Sequence, residues 1–192
     1  MEVYKFDTDD DTYSIPFDWD DDDENINYVD QIVDEYFDSK TRVGGKWKPT
    51  FFGVVNPRQK VANLGTLVSS NVLVFDQQAV DVLQPLLGDS VELLPYETEI
   101  GNYYLVNVLD EGDYLDRQHT ECREIRKNGT CYGITKYAFQ ADLLRGKHLF
   151  IIPDTPLSRY VSGEFIAACR QHNLKGIFLT EKAKIWDSAA SV

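Results

Sequence analysis

Three groups of residues carry side chains that could do chemistry. Asp7, Asp9 and Asp11 stand at the first, third and fifth positions of a calcium-loop spacing, with Asp18 at the twelfth. Such a loop needs glycine at its sixth position for a sharp turn and a bidentate glutamate at its twelfth. Here Thr12 and Asp18 stand there and Pro16 interrupts, so the run reads as a solvated acidic face. His119, Cys122 and Cys131 are zinc-ligand types. Asn128-Gly129 predicts a hairpin between the two cysteines, with these residues as a type I′ turn. Arg126 would then face Cys131, and Cys122 would lie about 13 Å away along its strand at ~3.3 Å per residue, too far for a shared metal or a disulfide. Cys169 and His172 lie three apart on a predicted helix, on one stripe with Phe165 and Ile166. No third group is placed to orient a base, so they read as a buried thiol and a half-buried imidazole. Phosphate-loop, HExxH and GxSxG patterns are missing from the sequence. The sequence therefore leads us to expect no catalytic residue, metal or cofactor.

What remains is charge. Residues 1–38 hold fifteen acidic side chains and one basic one, Lys5, a net −14. The other 154 residues hold 17 acidic and 18 basic groups, a net +1, so the chain's −13 is local to its N-terminal fifth. Such a field repels nucleic acids and anionic membrane surfaces and attracts basic proteins. Asp20, Asp21, Asp22, Asp23 and Glu24 are consecutive acids beside Phe17 and Trp19, with Asp9, Asp10 and Asp11 upstream. An aromatic anchor ringed by charge is a common interface hot spot, so these ten residues are the expected partner-binding surface. Arg117, His119, Arg123, Arg126 and Lys127 are interleaved with Asp116, Glu121 and Glu124. They read as a mixed surface hairpin, because nucleic-acid footprints are strongly one-signed.

The elements that position these residues follow from periodicity. The 192 residues suit one core, and 43% apolar content is enough to fill it. No stretch approaches the ~18 apolar residues of a membrane helix, and the start lacks a signal pattern. Three cysteines, an odd and sparse set, fit a reducing compartment, so a cytoplasmic location is expected. Val3–Phe6 reads as a strand. Residues 7–24 read as an extended segment with Tyr13, Ile15, Phe17 and Trp19 on one face. Residues 28–37 read as a helix capped by Asn27, and residues 46–55 as extended. Val72–Phe75 precedes the cap Asp76, a helix from Gln77 to Gly88, and a strand Val91–Leu94 stopped by Pro95. Strands Tyr103–Val108 and His148–Ile152 follow. Tyr160-Val161 then leads to the cap Ser162, a helix, and a strand Ile177–Leu179. The last unit repeats the earlier one at an offset of 86, matching Asp76 with Ser162 and Val91 with Ile177, a weak sign of duplication. The fold class is α+β: one domain over 1–192, with a mainly antiparallel or mixed sheet and helices on one side.

Three stretches, Val74–Leu87 with Val91–Pro95, Tyr103–Val108 with Tyr114–Asp116, and His148–Pro153 with Tyr160–Phe165 and Leu174–Ile177, carry a likeness. They resemble family eleven of the bacterial immunity proteins of polymorphic toxin systems. The likeness spans residues 64–181 and follows strand ends, caps and helix faces. Asp76 stands where the family commonly has serine, and both residues cap helices. The resemblance implies a cytosolic antidote that binds and neutralises a cognate toxin, and it carries no catalytic motif. The alternatives are an acidic nucleic-acid mimic that inhibits a DNA- or RNA-binding protein, and an enzyme that reverses toxin damage. A mimic would spread its acids over the whole surface, and residues 39–192 are nearly neutral.

Overall fold

The computed structural model describes residues 1–17, 24–48, 50–51, 59–67, 72–178 and 183–190. Its strands are β1 (Glu2–Lys5), β2 (Tyr13–Ser14), β3 (Thr50–Phe51), β4 (Lys60–Val61), β5 (Leu64–Leu67), β6 (Val72–Asp76), β7 (Val91–Thr98), β8 (Gly101–Val108), β9 (Glu121–Ile125), β10 (Cys131–Lys136), β11 (Leu149–Phe150), β12 (Tyr160–Ser162) and β13 (Lys184–Asp187). The α-helices are α1 (Glu24–Ile32), α2 (Gln77–Leu87) and α3 (Gly163–Gln171). The α+β class follows directly.

Two larger sheets form the body, ordered β3-β7-β8-β6-β5 and β11-β12-β1-β13, with β9–β10 a separate ribbon and β2–β4 a short pair. The larger sheets are antiparallel except where β3 joins β7. Alternation along their strands fixes the layers. On β6, Leu73 and Phe75 enter a core shared with α2 and α3, while Val72 and Val74 enter a second core under α1. On β1 and β12, Tyr4 and Val161 join that first core, while Val3 and Tyr160 face a third beneath residues 114–144. The order is therefore α1, five-stranded sheet, α2 with α3, four-stranded sheet, and the segment bearing the β9–β10 ribbon. Phe6, Phe75 and Phe165 meet between the sheets at ring separations of 6.4–6.5 Å.

Both central helices start on the expected caps. Asp76 Oδ1 accepts from Ala79 N at 2.7 Å and Ser162 Oγ from Phe165 N at 3.1 Å. The two units also share a path. β6–α2–β7 straddles β8, which lies between them in the sheet. β12 pairs with one edge of β1, and after α3 the chain bridges Ile177 to Thr8, with Phe178 N donating to Asp7 O on the edge away from β12. Each helix thus crosses over one intervening antiparallel strand.

Several boundaries differ from expectation. The first helix begins at Glu24, so Asn27 lies inside it, and its last turn widens to a π-helix over Val33–Phe37. Pro95 does not stop β7. Its carbonyl accepts from Trp47 Nε1 at 2.9 Å, and a strand residue's N–H and C=O share an edge. The missing N–H therefore faces away from β8, and no ladder bond is lost. The expected extension of residues 46–55 is seen only as β3, because residues 52–55 lie outside the described ones.

Candidate partner-docking surface

The acidic segment is built onto the body from β1 onward. Asp9 N donates to Gly176 O at 2.9 Å, and Asp9 O accepts from Tyr13 N at 3.0 Å, closing a turn over the acids. Gln59 Nε2 donates to Asp10 O at 2.7 Å, and β2 pairs in parallel with β4. Ile15 then packs so closely on Gly65 that a Cβ there would stand 2.6 Å from its Cγ2. Tyr96 donates to Pro16 O at 3.3 Å. Phe17 is 3% exposed and meets Tyr96 edge-on at 5.9 Å. Its ring is committed to the core beneath α1, so it anchors the segment rather than standing free as an aromatic contact.

Of the other expected docking residues, Asp10, Asp11 and Glu24 are exposed and Asp9 half-buried. Trp19, Asp20, Asp21, Asp22 and Asp23 lie outside the described residues. The structure adds four acids that the expected set left out. Ile26, Val29, Ile32, Val33, Tyr36 and Phe37 are buried, and Asp30, Asp34, Glu35 and Asp38 line the outer side of the same helix. Their spacing opposite an apolar stripe was the available signal. Burial first, and then Asp34 four residues on, raise the Asp30 carboxyl above its usual range. Tyr36 and then Lys46, 3.5 Å away, hold Glu35 below its own.

The other candidates resolve into local structure. The β9–β10 hairpin exists, but Cys131 pairs with Ile125 rather than Arg126. Arg126 N donates to Thr130 O at 2.9 Å, leaving a three-residue loop in which Gly129 alone takes positive φ, +83°. The separation expected between Cys122 and Cys131 is therefore too large. Burial first, and then the neighbouring Cys122, push the Cys131 thiol up to about 11. Both remain free thiols, and His119 Nδ1 is held 2.7 Å from Asp116. Cys169 is buried and pushed up to about 12, whereas His172 is exposed at the end of α3, off the buried stripe. Arg117 grips the buried Asp154 at 2.5 and 2.9 Å and Asp113 at 2.6 Å, and Cys131 N donates to the same Asp154 at 2.5 Å. These bonds join the hairpin to the turn after β11. Among the described residues no helix is long and apolar enough to cross a membrane.

Residues 95–184 match the Immunity protein family (Imm11). The match supports an immunity role and covers β8, the β9–β10 ribbon, β11, β12 and α3, ending at Lys184, the first residue of β13. It begins at Pro95, so the resembling stretch 74–94 lies outside it, as does the acidic segment. No curated protein matches the chain.

Proposed function

We propose that this chain is an immunity protein that binds a cognate bacterial toxin in the cytoplasm and neutralises it, docking the toxin through its acidic N-terminal region. The family match over residues 95–184 carries the reading. It supports reading the chain as a binding protein rather than an enzyme. The choice of surface rests on charge: −14 over residues 1–38 against +1 elsewhere makes a basic toxin domain the complementary partner. Nucleic acids and membranes carry the wrong sign. Asp9, Asp10, Asp11, Asp20, Asp21, Asp22, Asp23 and Glu24 supply the field, Trp19 an aromatic contact, and Asp30 and Asp34 extend it along α1. Toxins that attack nucleic acids are often basic, and an acidic inhibitor suits the site where such a toxin holds its substrate.

The test is the association rate with the toxin after Asp20, Asp21, Asp22 and Asp23 are changed together to asparagine. Steering predicts a loss of about tenfold at low salt that shrinks at high salt. A rate unchanged at low salt places the interface elsewhere while leaving the immunity role standing.

A further inference from the structure

The β9–β10 ribbon has the opposite character to the acidic region, and nothing in the toxin reading uses it. Residues 121–136 hold four basic and two acidic side chains, and Lys136 pairs with Glu121 at 3.2 Å. Arg123, Arg126 and Lys127 then face only Glu124, and among the described residues none of these three has an ion-pair partner. The ribbon also carries exposed apolar surface. Ile125 is 72% and Tyr132 52% exposed, and the Arg126 guanidinium lies 4.9 Å from the Tyr132 ring centre. Beside Ile125 opens a cavity of about 460 Å³, lined also by Pro153, Cys122, Cys131 and Thr120 and by Arg117 with its partner Asp113.

Backbone register says which edge is open. Cys131 N donates outward to Asp154, so the outer edge of β10 is occupied there. Cys131 and Ile125 are therefore a non-hydrogen-bonded pair, and the main-chain N–H and C=O of Ile125 point away from β10. Arg123, two residues back, points the same way. Among the described residues β9 pairs only with β10, so this edge keeps its donors and acceptors. The Arg117–Asp154 clamp fixes the ribbon from beneath, so the edge is held in extended form before anything binds.

We propose that the outer edge of β9 is a second docking site, which takes an extended acidic segment of a partner protein as an added strand. Main-chain bonds to Arg123 and Ile125 supply the pairing. Arg123, Arg126 and Lys127 meet the segment's carboxylates, and an apolar side chain of the segment enters the cavity beside Ile125. Charge selects the occupant. A second copy would bring the same cations against themselves in a two-fold pairing of these edges.

The probe is a fluorescent peptide of about ten residues alternating glutamate and valine, titrated against the full chain by polarisation. The expected result is saturable binding that a lysine–valine peptide does not show. Arg123→Glu with Arg126→Glu should weaken it by about tenfold or more. N-methylation of alternate peptide bonds should weaken it comparably, because the added strand then loses its donors. All substituted positions are exposed, and circular dichroism of the variant checks its fold; if the pair perturbs it, Lys127→Glu replaces it. Equal binding of the two peptides, an unchanged charge-reversal variant, or full affinity of the methylated peptide each overturns the proposal. So does preferential binding of a single-stranded oligonucleotide, or a dimer in light scattering that the acidic peptide does not dissociate.

Discussion

At the residue scale, two positions bear the most weight. Asp154 is 5% exposed, and its carboxylate serves both Arg117 and the Cys131 amide. Removing it strands a guanidinium and a backbone donor together. Asp154→Ala should cost about 3 kcal/mol in urea unfolding, because truncating one partner of a buried ion pair leaves the other uncompensated. Gly176 sits at φ +109°, where an added Cβ would stand 1.9 Å from Leu64 O. Neither backbone can yield without moving β5 or the end of α3. Gly176→Ala should therefore lower stability by more than about 2 kcal/mol, seen as a fall in Tm. Asp9 donates its amide to that glycine's carbonyl, so the same variant should also loosen the turn that presents Asp10 and Asp11.

At the scale of elements, the helix caps show how closely sequence and structure agree. Asp76 and Ser162 were readable because short polar side chains before apolar-periodic runs satisfy free helix amides. They differ in charge. Burial, the largest influence, raises the Asp76 carboxyl above its ordinary range despite the Ala79 and Asn63 hydrogen bonds. A raised folded-state value means the folded chain holds the proton more tightly than the unfolded one. Asp76's contribution is thus full below its unfolded value and is lost as pH rises through the folded one. The stability of the wild type relative to Asp76→Ser should therefore fall as pH rises above the ordinary aspartate value of about 4, and urea midpoints measured as a pH series check it. A difference that grows with pH would contradict this sign. The hairpin was only partly legible. Asn128-Gly129 located its tip, but a type I′ turn needs positive φ at both residues. Asn128 instead accepts from Thr130 N and Thr130 Oγ1 through its own side chain, and only Gly129 takes the left-handed region. One residue of register followed from that, and with it the mistaken distance between Cys122 and Cys131. β7's passage through Pro95 was hidden for a similar reason: it depends on the Trp47 indole, which is distant in sequence.

For the whole molecule, the layer order separates two charges. The acidic segment ends on the outer face of the five-stranded sheet, where Phe17 is buried under α1. The basic ribbon stands beyond the outer face of the four-stranded sheet, where Tyr114, Ile134 and Tyr137 pack. The acids could be counted from sequence, but the placement of Asp30, Asp34, Glu35 and Asp38 on the side away from the ribbon could not, because it depends on how two sheets and three helices stack. The Imm11 match covers the ribbon's side of the stack and not the acidic one. The most direct test of the central claim is to purify the tagged chain from its native bacterium at low and at high salt and identify what is bound. Docking through the acidic region predicts a basic toxin domain, captured faster at low salt. Recovery of no toxin, or of host nucleic-acid-binding proteins alone, would contradict it.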